Sequence, residues 1–489
     1  MNMEAAERFG TTRPSIPLVD SATIICANSL RIDWNDVITA EKCCYVLGNP
    51  PFIGKQNQTV EQKSDLEFVF GKLKGAGVLD YVACWYAKAA AYIHANQSID
   101  VAFVSTNSIT QGEQVAVLWS NLLAQGIRIR FAHSTFQWSN EGKGVAAVHC
   151  VIIGFGLSEP KQRMIFDYGN NIKGEPIAIP VRNINPYLVD APDVILSNRR
   201  QPICAVPEIV FGNMPNDGGH LLLTDIEMHE LIAKETGAKK FIRPFMSAKE
   251  FLNNEPRWCL WLVGITPHEL RQLPEIARRV QAVKQLREAS DRPTTRELAA
   301  YPTLFGENRQ PSSDYVLVPR HSSENRAYIP CGFFDANHIA ADSCLAIPDA
   351  TLYHFGMVTS TMHMAWVRYT CGRLESRYRY SAGIVYNNFP WPDKLSDKYH
   401  AAIEIAAQAI LDARAQYPES SLADLYDPLS MPPELVKAHA ILDKAVDAAY
   451  SYKGGKNDTS RVAFLFERYQ KLTSLIPPSA KKTRKRKTS

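Results

Sequence analysis

An apolar run, Cys43 to Gly48, opens directly into Asn49-Pro50-Pro51-Phe52. Two successive prolines have no amide hydrogen to give to a ladder, so they end a strand in a rigid loop at its carboxyl end. Open α/β sheets hold their ligands at that end. The flanking pattern fits such a sheet. Thr23 to Ala27 is a short apolar strand candidate, and Leu79, Val82, Tyr86 and Ala90 recur at helical spacing. Val101 to Val104 reads as a buried strand, and Gln111 to Gln125 as a helix stopped by Gly126. Two further strand candidates, in IRIRFA and AAVHCVIIGF, follow close together. This alternation predicts a doubly wound α/β domain with a mostly parallel sheet over residues 1–158.

At roughly 150 residues per domain, 489 residues suggest about three domains. Residues 159–395 change texture: they are rich in proline and aromatics, in short segments that predict a mixed α+β domain. Residues 396–478 turn helical. PPELVKAHAILDKAVDAAY begins with prolines at a helix start, and RVAFLFERYQKLTSLI has an apolar stripe and ends before Pro477 and Pro478. Residues 479–489 read as a basic, disordered tail. That tail explains the net charge of +4, because removing the six basic residues of KKTRKRKTS from 54 leaves 48 against 50 acidic ones. No apolar run approaches the ~18 residues of a membrane span, so no membrane contact is expected. Ten cysteines without a C-x-x-C pair read as reduced thiols of a cytoplasmic protein. His354 and His363 lack metal-ligand spacing and read as packed or surface residues, so no metal is expected.

Asn49 to Phe52 suit one kind of chemistry. The exocyclic amino nitrogen of adenine is a poor nucleophile, because its lone pair is delocalised into the ring. Two acceptors aimed at its two hydrogens favour pyramidalisation, which releases that pair. The Asn49 side-chain oxygen is one acceptor; the Pro50 carbonyl, held rigid by Pro51, is the other. Phe52 can stack on the base face. A base within a duplex must first be flipped out. A methyl group then passes from a sulfonium donor, with rate supplied by positioning and fixed dipoles.

With these residues the chain resembles the amino-methylating DNA methyltransferases that carry N-P-P-[FY]. More closely, it resembles the MmeI-like family of bifunctional restriction–modification enzymes. The stretches GNPPFIGKQNQTVEQKSD, KGAGVLDYVACWYAKAA, VSTNSITQGEQVAVLW, HSTFQWSNEGKGVAAVHCVIIGF and RYRYSAGIVYNNFPWP carry the likeness, which covers most of residues 20–475. The resemblance implies a class I, Rossmann-like methyltransferase domain, then a target-recognition domain, then a helical C-terminal domain. It implies S-adenosylmethionine as cofactor and double-stranded DNA as partner. Asn28 matches the place where such enzymes contact the adenine ring of the donor. Phe136 or Trp138 matches the second aromatic that sandwiches the flipped base; packing in the core is the alternative for either.

Class I methyltransferases bind S-adenosylmethionine with a Gly-rich turn after the first strand and an acidic residue after the second. Both would lie upstream of Asn28, where only residues 1–22 precede the first strand candidate. The main cofactor motif is therefore expected outside this chain, in an upstream polypeptide that completes the domain. Gly75-Ala76-Gly77 follows a charged loop and reads as a flexible linker. The family's nuclease would also lie upstream, so restriction activity is not expected of this chain. The alternative to an enzyme is a DNA-binding specificity module without catalysis.

The segment CGRLESRYRY, residues 371–380, alternates charge with aromatics. Glu375 and Arg377 are two apart, so on an extended segment their side chains share one face. Glutamate accepts from cytosine N4 and arginine donates to guanine O6 and N7, so the pair is expected to read one C·G base pair; a surface ion pair is the plainer alternative. Arg379, Arg243, Lys249 and Arg257 are candidates for phosphate contacts, or are solvated charges.

Overall fold

The computed structural model describes residues 22–138, 148–169, 171–393 and 395–474. The predicted basic tail and the Gly-rich stretch after Trp138 lie outside the described residues.

The first domain comprises Tyr45–Gly48 (β1), Val60–Phe70 (α1), Ala83–Ile93 (α2), Asp100–Thr106 (β2), Gly112–Ala124 (α3), Arg128–Trp138 (β3), Val148–Gly156 (β4), Arg163–Asp167 (β5) and Ile177–Val181 (β6). The strands form one sheet in the order β1-β2-β4-β3-β5-β6. A capping box between Thr59 and Gln62 starts α1. At the end of α3, Gly126 takes the left-handed φ of 87° that a glycine tolerates. The apolar stripe of α2 buries Tyr86, whose ring stacks on Phe155 of β4 and meets Phe103 of β2 edge-on, each at 5.3 Å.

Two expectations are corrected here. The sheet is mixed: only β1/β2 and β3/β5 pair in parallel, because β3 reverses directly into β4 and β5 into β6. Thr23 to Ala27 is not a strand; it runs as irregular chain with Ile24 88% exposed. A strand needs a neighbour to take its backbone hydrogen bonds, and no described strand lies outside β1. In addition, Gly75-Ala76-Gly77 is a set turn, not a loose linker: Gly75 has φ 90° and Ala76 is buried.

The second domain holds three small sheets. Val210–Phe211 (β7), Tyr315–Pro319 (β11), Gly332–Phe334 (β13) and Cys344–Pro348 (β15) form one, in the order β13-β11-β15-β7. Leu222–Leu223 (β8), Ile242–Met246 (β9), Trp258–Leu260 (β10) and Ile339–Ala340 (β14) form another, ordered β14-β9-β10-β8. His321–Ser322 (β12), Gly372–Leu374 (β16) and Arg377–Arg379 (β17) form the third, with β17 central. The helices Asp225–Lys234 (α4) and Pro274–Glu288 (α5) cover the second sheet, giving a lobe with its own core around Leu223, Phe241, Ile276 and Val283.

Leu352–Val358 (α6) and Thr361–Thr370 (α7) lead to the last three long helices, Asp397–Ala415 (α8), Pro433–Ala449 (α9) and Asp458–Ser474 (α10). α8 packs on α6 and α9, and α7 packs on α10. One continuous core joins the first sheet, residues 184–209, α6, α7 and α8 to α10. Asn388 lies fully buried at this junction. Its amide nitrogen donates to the carbonyls of Ser197, Gly383 and Ile384, and its oxygen accepts from Arg199 and Tyr469.

His363 and His439 are fully buried, each with Nε2 2.8 Å from a tyrosine hydroxyl, of Tyr380 and Tyr426 respectively. Burial pushes His363 down to about 3, His354 down to about 4, and His439 well below the ordinary imidazole value. These groups take up protons more readily when unfolded. Their contribution to stability is therefore complete above the unfolded value of ~6.5 and is lost as pH falls below it. Urea unfolding is expected to show a falling midpoint between pH 7.5 and 5, with each histidine costing about 2 kcal/mol by pH 5. A His363→Gln variant should flatten that fall; an unchanged slope would remove His363 from the account.

Candidate functional site

β1 and β2 run in the same direction, and β3 joins them because both β2 and β3 are antiparallel to β4. Their carboxyl ends therefore share one sheet edge, which brings Asn49, Asn107 and Trp138 to the same side. Along the row of Gly48 the register continues through Phe103 and Ile153 to Ala132. Trp138 is six residues further along β3 than Ala132, so β3 projects roughly 16–20 Å beyond the level of the Asn49 loop.

Within that loop Pro50 is buried, Phe52 is half-buried against the core, and Asn49 and Pro51 are exposed. The Asn49 side chain makes no hydrogen bond among the described residues. The loop is fixed immediately behind it. Ile53 N–H donates to Asp80 Oδ1 at 3.1 Å, and the Ile53 carbonyl accepts from Tyr81 N–H at 3.0 Å and from Gln58 Nε2 at 3.1 Å. Asp80 also takes the Val82 N–H, and its own N–H is held by Gln114. Burial lifts the Asp80 carboxyl above its ordinary value, against the pull of its two backbone donors. Asp80 and Gln58 were not singled out from sequence. The one available signal was an acid embedded in the apolar run Val78 to Val82.

Asn28 sits in the irregular segment ahead of β1. Its Oδ1 accepts from Leu30 N–H at 3.0 Å and its Nδ2 donates to Asp65 at 2.9 Å. Asp65 also accepts from the Tyr81 hydroxyl at 2.6 Å and pairs with Arg31 at 2.5 Å. These donors outweigh the burial of Asp65 and hold its carboxyl below the ordinary value. Both polar ends of Asn28 are thus engaged in bracing this segment to α1. On this side of the sheet Tyr45 is 68% and Leu47 73% exposed on β1.

The two aromatics of β3 differ. Phe136 is 9% exposed and stacked on Tyr168 at 5.2 Å, whereas Trp138 is 42% exposed, its ring 6.1 Å from Phe136.

β16 and β17 form a hairpin whose two-residue turn is Glu375-Ser376. Glu375 has φ 57°, a left-handed conformation unusual for a side-chain-bearing residue. Its carboxylate pairs with Arg377 at 2.8 Å. The two meet because the chain turns, not because an extended strand puts them on one face. Tyr378 is buried beneath the Arg373 guanidinium at 3.9 Å, and Arg379 is exposed. Arg243 lies on β9, in the sheet covered by α4 and α5, and Lys249 lies in the short helix Ala248–Asn253 that follows it, whose Phe251 packs with Tyr315 and Leu317 of β11. Arg243 donates to the carbonyls of Lys240 and Ile242, and Lys249 pairs with Glu255 at 2.7 Å. Arg257 precedes β10.

A cleft of about 540 Å³ separates the sheet edge from the hairpin, lined by Asn107, Gln111 and His149 on one wall and Glu324, Arg326 and Arg373 on the other. Among the described residues no three His, Cys, Asp or Glu side chains are grouped to hold a metal. No described helix is long and apolar enough to cross a membrane.

Family models match in three consecutive blocks: the MmeI DNA-methyltransferase domain over residues 1–167, the MmeI target recognition domain over 190–393, and the MmeI C-terminal domain over 395–477. A solved structure of the type IIL restriction–modification enzyme MmeI in complex with DNA is 53% identical, with a TM-score of 0.85 over 97% of this chain and 63% of that one. DNA methyltransferase A of Bacillus subtilis (strain 168) is 40% identical over 469 residues, 96% of this chain and 52% of that protein. The chain thus spans between half and two thirds of the length of these relatives. With its α/β sheet, its mixed recognition domain and its helical C-terminal domain in this order, the chain belongs to the MmeI family.

Proposed function

We propose that the chain is the catalytic and recognition part of a site-specific DNA methyltransferase that methylates the exocyclic N6 of a flipped adenine in double-stranded DNA. It would act in restriction–modification or host-DNA modification in the cytoplasm. The observation that carries the reading is Asn49: an exposed amide with no hydrogen-bond partner among the described residues, on a Pro-Pro loop braced from behind by Asp80 and Gln58. An amide held ready in this way is what an incoming amino group requires. Asn49 Oδ1 and the Pro50 carbonyl accept the two amino hydrogens, and Pro51 keeps the second acceptor from swinging away. Phe52 stacks on one face of the base. The candidate for the other face is Phe136 or Trp138, both carried beyond the loop by β3, so stacking requires the base or β3 to close that distance.

S-adenosylmethionine supplies the electrophilic methyl group when bound. The described residues do not finish its site, since Asn28 is engaged elsewhere. We assign completion to an upstream polypeptide segment, in this or a separate chain, that packs against the open edge of β1 and covers Tyr45, Leu47 and Ile24. The engaged Asn28 equally favours a second reading, a DNA-binding specificity module without catalysis.

Three experiments bear on this. With that segment present and labelled S-adenosylmethionine, the protein should form N6-methyladenine in duplex DNA, and Asn49→Ala should lower the rate about 10²–10³-fold. Label appearing only on cytosine, or in no base at all, would sink the enzyme reading; duplex binding without transfer would leave the specificity module. Asp80→Ala should lower kcat about tenfold or more with DNA affinity unchanged, and Asp80→Asn, which keeps an acceptor, should restore most of it. If Asn and Ala behave alike, Asp80 does not act through the Ile53 N–H. Exchanging the charges at Glu375 and Arg377 should change the methylated sequence at one C·G position, as read by sequencing of modified DNA. An unaltered motif with normal activity would refute that role.

A further inference from the structure

The first turn of α3 touches both halves of the molecule. Gly112 opens the helix, is buried and has φ 60°. A Cβ at Gly112 would stand 3.0 Å from the Gly372 Cα of β16 and 3.3 Å from its amide nitrogen, so the two backbones lie directly against each other. Next along the helix, the Glu113 carboxylate accepts from the Asn198 amide at 2.6 Å, and Asn198 packs against Gly383. One residue further, Gln114 Oε1 accepts the Asp80 N–H at 2.9 Å. Three successive residues thus meet the recognition hairpin, the segment beside Asn388, and the acid behind the Asn49 loop.

Every link in this chain of contacts is stiff. Gly112 and Gly372 have no side chain to give way between them, so a shift of β16 toward α3 must move the helix. The helix is held as one body by its buried Val115, Leu118, Trp119 and Leu122, with Trp119 Nε1 donating to the Ile109 carbonyl at 2.9 Å. Asp80 Oδ1 takes the N–H groups of Ile53 and Val82, each at 3.1 Å. From Ile53 the path runs back through Phe52 to the two prolines, whose fixed φ carries direction to Asn49. On the other side, Gly372 lies three residues before Glu375 in the hairpin turn. Coupling between separated sites travels through such chains of packed, rigid elements.

We propose that the first turn of α3 passes the seating of the recognition hairpin to the Asn49 loop, with Gly112 as the positioning residue against β16 and Gln114 as the positioning residue on Asp80. The inference rests on the methyltransferase reading and adds to it a means by which one part of the chain registers the other. Neither residue touches the reacting atoms. A hairpin seated on its proper base pair holds α3, and through Gln114 and Asp80 the two acceptors, where transfer needs them. A badly seated hairpin displaces that support, and a misplacement of about 1 Å costs up to about 10²-fold in rate. Discrimination between DNA sequences then enters kcat as well as affinity.

The test joins methyl transfer, by the full chain with its upstream segment, to amide hydrogen exchange of the same protein. Gln114→Met keeps the side-chain length and removes the acceptor. It should lower kcat about tenfold with duplex affinity unchanged, and speed exchange in the peptide containing Ile53 by about the same factor. In an Asp80→Ala background it should cost nothing more, because one path is lost only once. Its kcat ratio between the methylated duplex and one altered at the pair assigned to Glu375 and Arg377 should fall. Gly112→Ala should also lower kcat about tenfold, whereas Gly372→Ala, whose Cβ meets the Gly112 Cα only at 3.9 Å, should stay near the unmodified rate. Additive losses with Asp80→Ala, unchanged Ile53 exchange, or an undiminished kcat ratio in Gln114→Met would each overturn the proposal while methylation by the unmodified protein stands. No transfer by the unmodified protein would overturn the methyltransferase reading, and this coupling with it.

Discussion

Asn388 is a polar residue with no access to water, and it holds together parts of the chain that are far apart in sequence. Its amide bonds the segment at Ser197, the π-helical turn at Gly383 and Ile384, the Arg199 side chain and Tyr469 of α10. A buried amide with every position filled stabilises a junction; with one partner removed it becomes a liability of 1–3 kcal/mol, about the cost of an unmet buried group. The neighbours show the same economy of space. Gly383 has no room for a Cβ against Asn198, and Asn198 in turn donates to Glu113 of α3 at 2.6 Å. The relation between the first sheet and the recognition hairpin, and with it the width of the cleft between them, depends on this knot.

The Asn49 loop solves a related problem in the opposite way. A group that is to meet a ligand must keep its hydrogen-bonding positions open, yet an exposed side chain on an unrestrained loop has no fixed aim. Here the restraint is displaced to the residues behind. Asp80 and Gln58, both buried, hold Ile53 from both its backbone groups, and the prolines stiffen what lies between. Glu375 shows a further version. Its left-handed φ carries a backbone strain of about 1–2 kcal/mol, and its side chain is exposed at a turn where glycine is the easier choice.

Much of this was legible in the sequence. Asn49 to Phe52 lie at a strand end because apolar runs and prolines are local signals. The helices α2, α3, α9 and α10 follow their apolar periodicity. Thr23 to Ala27 misled because periodicity reports a preference for burial, whereas a strand exists only beside a neighbour. Gly75 to Gly77 misled because glycine serves tight turns as readily as loose ones. Asp80 and Gln58 were not legible. Their place behind the loop depends on Ile53, 27 and 5 residues away, and neither carries a local pattern.

The distribution of cores has a consequence for how such chains diverge. The lobe around β8, β9, β10, α4 and α5 is enclosed by its own apolar cluster, whereas the hairpin and helices α6 to α10 share theirs with the first sheet. In an exchange between relatives most of that interior would travel with residues 221–305, while Ile339 and Ala341, which pack into it from and beside β14, would stay behind. A crossover placed between the first sheet and α7 would join two half-interiors that had never been fitted to each other.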